Sequence, residues 1–341
     1  MKARRPVTQG RKVALSLLSI ALLLMGYSSF AVQTTQLYTI PTAYSATSRI
    51  VSSKDDIWFV EFNSNKIGFF NKTNHEFSEF DIPTKSSYPS DITVGVGGLL
   101  WYTQQDANQL GSFNPITKTF KEYDIPTIES LPLRLATDRQ GDLWITEHYG
   151  NRLAHFDVRS ETFTEYEIPT PSSRPTGIAV DAQGRVWFLE TQGNKLGFLD
   201  PDEGSFFEIS LPESFEVPID LTIDREGVIW FGGRRSGKLI AYDPARKEFD
   251  IHRIPGGGVI AGLAVDETGR IVFALENPGK IGLFDPKTRE FRVVKAVLED
   301  SEPYDIDADE EGNIWFADMK SNALCRLDGQ VMSLAVTLNQ E

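Results

Sequence analysis

The sequence predicts an all-β fold, a seven-bladed β-propeller with four antiparallel strands per blade, on three observations. All six tryptophans sit in one short pattern, "DIWFVE", "LLWYTQ", "DLWITE", "RVWFLE", "VIWFGG" and "NIWFAD". Trp58, Trp101, Trp144, Trp187 and Trp230 follow one another at 43 residues, Val272 fills the next slot after 42, and Trp315 comes 43 later. Each unit divides into four short β-type runs, with no long 3.6-period amphipathic stretch to compete. Four strands repeated at about 40 to 50 residues are the signature of a propeller.

The first thirty-one of the 341 residues stand apart from the repeats. Lys2, Arg4, Arg5, Arg11 and Lys12 precede the apolar run "VALSLLSIALLLMG" and the small-residue stretch "YSSFA". This order reads as a secretory signal over 1–31, cleaved after Ala31, followed by one propeller domain over 32–341. The run is short for a bilayer span, which takes about 20 apolar residues, and an uncleaved anchor is the alternative reading. Removal of the signal leaves 29 basic and 48 acidic side chains, so the net charge goes from −14 to −19. That excludes nucleic acid and anionic lipid as partners, because both are bound through Lys and Arg clusters. The expectation is a secreted or periplasmic monomer with no membrane span in the mature chain. The lone Cys325 has no partner for an internal disulfide, and "ALCRLD" reads as a buried third strand.

The fourth unit shows the logic of each blade. Its runs are "TGIAV", "RVWFLE", "KLGFLD" and "FFEISLP". The first two are joined by "DAQG", as elsewhere by "DRQG", "DREG", "DETG" and "DEEG", whose Gly suits a hairpin position at positive φ. The second and third are joined through Asn65, Asn108, Asn151, Asn194, Gly237, Gly279 and Asn322. Asn and Gly are the two residues that enter the left-handed region most readily, so turn geometry alone explains that restriction. Alternation puts Trp187 and Leu189 on one strand face and Phe188 and Glu190 on the other. Two segments compete for the last outermost strand. The N-terminal "QLYTIPT" is expected to close the ring beside the last blade, since it shares its "IPT" ending with "FDIPT", "YDIPT" and "YEIPT"; "QVMSLAV" is the alternative.

The stretch "RPTGIAVDAQGRVWFLETQGNKLGFLDP" resembles a blade of the streptogramin B lyases, virginiamycin B lyase and its relatives, and the likeness runs from about Ile40 to the C-terminus. The resemblance implies a metal-assisted lyase that opens a cyclic depsipeptide by elimination across its ester linkage. It further implies histidines after a Pro in "PHGI"-type innermost strands and a glutamate ending a "WFTE" strand. The aligned histidine slot holds Thr47, Ser90, Leu133, Thr176, Ile219, Ala261 and Tyr304. In blades five and six, where the resemblance places catalytic imidazoles, Ile219 and Ala261 neither transfer a proton nor bind a metal. The glutamate slot of blade six holds Leu275, with Glu276 one residue out of register.

Other groups remain available at the mouth of the channel. The second strands end in Glu61, Gln104, Glu147, Glu190, Gly233, Leu275 and Asp318, and Asp91, Asp220, Asp305 and Arg134 lie beside the histidine slot. Glu61, Glu147, Glu190 and Asp318 are the candidate metal ligands, for Mg²⁺ or Ca²⁺, since hard cations take carboxylate oxygens; no organic cofactor is indicated. His148 follows Glu147 in "TEHYGN", so Glu147, His148 and Glu190 are the catalytic candidates, with Arg134 and Tyr304 the candidate ligand contacts. His75, His252 and His155 read as surface or packing residues. "GGRRSGK" lacks the strand-to-helix context of a phosphate loop and reads as a solvated turn, with Arg234 and Arg235 as anion contacts the alternative. The functional expectation is therefore an exported propeller that binds a small molecule or divalent cation at its mouth without the usual lyase residues. The alternatives are an active lyase, a metal-dependent lactonase-type hydrolase, or an interaction scaffold of the cell envelope.

Overall fold

The computed structural model describes residues 35–212, 217–234, 237–296, 298, 300–329 and 337–338. They form seven antiparallel sheets, six of them ordered by sequence from the first strand outward and the seventh completed by an N-terminal strand. The first strands are Thr47–Ser52, Pro89–Val94, Pro132–Thr137, Pro175–Val180, Pro218–Ile223, Ile260–Val265 and Pro303–Ala308. Each of these touches the next, and the last touches the first, so they line the axis of a closed ring. A short 3-10 turn, Val96–Gly98, joins the first two strands of blade two, and among the described residues no helix is long and apolar enough to cross a membrane.

Alternation along the second strand glues the ring together. Seven hydrophobic clusters fill the seven interfaces between neighbouring blades. Trp187 and Leu189 pack towards blade five, while Phe188 packs back towards blade three, as the period of two requires. Burying one such aromatic contributes about 2–3 kcal/mol, so the interfaces carry the stability of a fold that has no disulfide. Beneath the ring of Phe188 lies Gly197, where an added Cβ would come within 2.4 Å of the ring, and only glycine fits. Cys325 is fully buried in the interface of blades six and seven, a small hydrophobe as expected.

The ring is closed by the N-terminal segment. Thr35–Thr39 pairs antiparallel with Ala323–Leu327 and completes the last blade. Thr337–Leu338 adds instead a fifth strand outside blade six, opposite Phe291 and Arg292. The competing "QVMSLAV" lies outside the described residues, as does the signal read over 1–31.

All seven positions read as left-handed turns have positive φ, between 52° and 68°. Turn geometry is only half of the reason. The Asn65 side chain donates to the carbonyls of Ile82 and Thr84 and accepts from the N–H and hydroxyl of Ser87. Asn108 and Asn151 repeat this set one and two blades on. Asn322 does the same to Ile40, Thr42 and Ser45, across the closure of the ring. Asn322→Ala is therefore expected to cost about 2–4 kcal/mol in urea denaturation, from four lost hydrogen bonds and a strained turn. Asn322→Gly, which keeps the turn, recovers about 1 kcal/mol of that loss.

Candidate functional site

The paired ends of the strands define the mouth. Pro132 lies opposite Glu147, Pro175 opposite Glu190 and Pro303 opposite Asp318, so the start of the innermost strand and the end of the second share one face of the disc. The pairing also corrects one slot. Thr47 lies opposite Glu61 as Pro89 lies opposite Gln104, which makes Ser48, and not Thr47, the equivalent of Ser90. Ser48, Ser90, Thr176 and Ala261 are buried in these slots, whereas Leu133, Ile219 and Tyr304 are half-exposed and present an apolar floor.

One residue deeper, the same correction brings Arg49 into the ring with Asp91, Arg134, Gly177, Asp220, Gly262 and Asp305. The Arg49 guanidinium crosses the axis. Its Nε lies 3.2 Å from Asp91 Oδ1, its Nη2 2.7 Å from Asp220 Oδ1 and its Nη1 2.5 Å from Asp305 Oδ1. Each of these carboxylates also accepts a backbone N–H of the following blade, from Leu135, Leu263 and Ile50 respectively. Burial alone would raise Asp220, but Arg49 outweighs it and holds this carboxyl below its usual range. Asp305 moves the other way, because burial outweighs the attraction of Arg49. Gly262 is obligatory here, since a Cβ would stand 2.8 Å from Asp305 Oδ1. Arg134 is buried beside this group and donates to the Ser90 carbonyl at 3.2 Å. Beyond the group, away from the mouth, lies a cavity of about 210 Å³ walled by the third to fifth residues of the innermost strands. Burial pushes Asp307, half-buried in that wall, up to about 6.

The four candidate metal ligands are not brought together. Glu61, Glu147, Glu190 and Asp318 are buried in four different blades. Each glutamate faces a second one on the outermost strand of its own blade, Glu79, Glu165 and Glu208 in turn. Asp318 instead accepts the backbone N–H groups of Glu302 and Ser321. Among the described residues one group does place three ligand atoms within 4.8 Å of one another, Asp138, Asp142 and His155. It lies at the opposite end of blade three, with His155 Nε2 3.7 Å from Asp142 Oδ2 and 4.0 Å from Asp138 Oδ2. The other turn aspartates have neutral or cationic neighbours where blade three has Asp142, such as Arg185 on Asp181 and Arg270 on Asp266.

The catalytic candidates fare differently. Glu147 and Glu190 have no solvent-exposed surface, and burial followed by the facing glutamate pushes them up to about 8 and about 7. His148 sits on the mouth side with Nδ1 3.0 Å from the Pro175 carbonyl, and burial pulls its pKa down. A neutral ring donating from Nδ1 leaves Nε2 as an acceptor. Of the other histidines, His75 lies in a turn near Tyr38, and His252 is buried against Trp230 and Phe284. Glu276 does not recover the glutamate slot, which the fully buried Leu275 keeps. It pairs across the rim with Arg234 at 3.0 Å. The neighbouring Arg235 lies outside the described residues.

Arg49 is the group that the blade-by-blade reading missed, because blade one lacks the strand-initial proline that marks the others. The signal was present: Arg49, Asp91, Arg134 and Gly177 each fall seven residues after the threonine of an "IPT". Arg49→Met leaves three buried carboxylates without their counter-charge and is expected to cost about 3–5 kcal/mol at neutral pH. The loss shrinks as the pH falls, because the stranded aspartates then take up protons more readily folded than unfolded. Thermal melts of both proteins between pH 4 and 8 give the check, and parallel curves would contradict it.

Comparison with known proteins agrees with this architecture. A streptogramin B lyase structure superposes with a TM-score of 0.81 at 24% identity, over 86% of this chain and 97% of that one. Virginiamycin B lyase from Staphylococcus aureus gives 0.81 at 23%, over 86% and 99%. The extracellular domain of a hybrid two-component system from B. thetaiotaomicron gives 0.70 at 17%, over 86% of this chain and 40% of that one. At these identities the superpositions establish the fold alone. Among curated proteins none matches. The sequence itself matches the Virginiamycin B lyase family over residues 27–284, most of its length, and the chain belongs to that family.

Proposed function

We propose that this chain is an exported, monomeric member of the family that binds a small organic ligand at the mouth of its channel and does not carry out the ring-opening elimination. One observation carries the reading. At the seven mouth slots stand Ser48, Ser90, Leu133, Thr176, Ile219, Ala261 and Tyr304, and the sixth glutamate slot holds Leu275. An elimination needs a base for the departing proton and a group to stabilise the leaving carboxylate, and none of these side chains does either at neutral pH. The surface that remains suits binding. Leu133, Ile219 and Tyr304 offer an apolar floor, and His148 and the ion pair of Arg234 with Glu276 offer polar contacts at the rim. Arg134 acts from beneath as a buried support of this floor.

A divalent cation at the axis would compete with Arg49 for Asp91, Asp220 and Asp305, and the protein's own guanidinium is already in place. The Mg²⁺ or Ca²⁺ of this reading therefore has Asp138, Asp142 and His155 as its destination, on the other face. A lactonase-type or residual lyase activity rests on His148, since Glu147 and Glu190 are closed off.

Incubated with a streptogramin B such as quinupristin and Mg²⁺, the mature protein is expected to leave the macrocycle intact by mass spectrometry; a linear product would overturn the reading. Native mass spectrometry of protein isolated from its own compartment should show a retained small molecule that is lost on Tyr304→Ala. For the cation, Mg²⁺, Ca²⁺ or Zn²⁺ should raise the melting temperature relative to chelator in the native chain and not in Asp142→Asn.

A further inference from the structure

The glutamates that end the second strands are neither mouth ligands nor solvent-facing caps. We propose that Glu61 with Glu79, Glu147 with Glu165, and Glu190 with Glu208 form three buried proton-binding sites, each holding one proton between two carboxyls and latching an incoming loop to its blade.

All three inner glutamates are fully buried and none of their six carboxyl oxygens is in a well-formed hydrogen bond; the hydroxyls of Ser130 beside Glu147 and Thr170 beside Glu190 favour the charged form only weakly against burial. Two facing carboxylates are tolerable in such a place only when a proton is shared between them. The outer member of each pair is well supplied with donors. Thr42 donates its N–H and hydroxyl to Glu79 at 2.9 and 2.7 Å, and the N–H groups of Thr127 and Thr170 reach Glu165 and Glu208 at 2.8 and 3.0 Å. These threonines belong to the loops arriving from the preceding blade. The inner glutamate is thus the acid and the outer one the anchored carboxylate.

The repeat supplies an independent control. Blade two keeps the outer Glu122, bonded by Thr84, but its inner position is Gln104, the uncharged isostere of a protonated glutamate. Blades five and six lose both members together: Gly233 with Ile251, and Leu275 with Val293. The charged groups around each site are few. Lys66 and Asp81 accompany the first pair, Arg152 the second and Lys195 the third. Lys66 and Lys195 bond the outer carboxylates at 3.3 and 2.7 Å; their charges, like that of Arg152, also pull the inner acids down but are outweighed by burial and the facing glutamate.

Protonation of the inner acids persists up to about 8, 8 and 7, because burial and then the facing glutamate oppose ionisation. Glu79 and Glu208 are held low, burial being outweighed by bonds from Thr42, Thr170 and the lysines. The sign follows. The inner acids stabilise the fold fully below their unfolded pKa, near 4.5, and that contribution fades as the pH rises through 7 to 8.

The experiment compares urea unfolding of the native chain, Glu61→Gln/Glu147→Gln/Glu190→Gln and Gln104→Glu at pH 6 and pH 9. Each proton held only in the folded state lowers the folded-to-unfolded ratio about tenfold per pH unit, from the unfolded value near 4.5 up to its release at about 7 to 8, and by no more beyond it. The native chain is expected to lose stability between the two values, the triple variant to lose much less and to exceed the native chain at pH 9, and Gln104→Glu to lose more. Infrared spectra of the native chain at pH 6 should show a protonated-carboxyl band that vanishes by pH 9, a readout that needs no variant to fold. Parallel pH curves, absence of that band, or stabilisation of the native chain alone by a divalent cation at pH 9 would each overturn the proposal.

Discussion

A single guanidinium spans the axis of this disc, and the arrangement of the ring depends on it. Innermost strands converge so closely that Gly177 and Gly262 have no room for a Cβ, yet Asp91, Asp220 and Asp305 project into the same space. Three carboxylates in so dry a place would repel one another and ionise with difficulty. Arg49 resolves this by bonding all three, and its planar fork suits the task where a lysine ammonium would meet them only as a point charge. Because Asp220 belongs to blade five and Arg49 to blade one, the pair ties opposite sides of the ring. The mouth and the cavity behind it are consequently separated by a salt-bridge cluster.

Around this centre the blades are not equal. Blades one to four share the Asn turn, the inner Glu or Gln and the outer Glu, and in blades one to three the Asn is seen to bond the incoming loop. Blades five and six have Gly237 and Gly279 at the turn, no glutamate pair, and in blade six Val272 for the tryptophan. These are also the two blades in which the family resemblance places catalytic imidazoles, and they hold Ile219 and Ala261. Departure from the repeat is therefore concentrated on one side of the disc. That side has exchanged hydrogen-bonded latches for hydrophobic packing, as the fully buried Leu275 and Ile260 illustrate.

The sequence made the fold legible because a propeller repeats its instructions. Trp spacing, "DxxG" turns and Asn or Gly before the third strand each recur often enough that chance is excluded, and each reports a local constraint. The turn Asp illustrates this: Asp181, Asp224 and Asp309 accept from the Nε1 of Trp187, Trp230 and Trp315 at 2.7–2.8 Å, so two conserved-looking letters are one hydrogen bond. The axis was harder to read. Its partners lie up to 256 residues apart, and their meeting depends on ring closure and on a bulge at the start of each innermost strand. A register error of one residue in blade one was enough to hide Arg49 and to leave Asp91, Asp220 and Asp305 without their partner.

The glutamates ending the second strands were misleading for a related reason. Alternation assigns Glu190 to the face of Phe188, which packs back towards the preceding blade, so the side chain enters the blade junction and not the channel. Only the residue after the strand, released from the ladder, turns to the mouth, and there the chain has His148, Arg234 and Glu276. In this fold, then, an acid one position earlier is buried within its blade and an acid one position later stands at the rim. The family's elimination would require an imidazole at the second residue of the innermost strand, which the bulge turns towards the mouth. With isoleucine and alanine in the two blades where the resemblance places the imidazoles, the same geometry that could have positioned a base instead positions apolar side chains at the mouth.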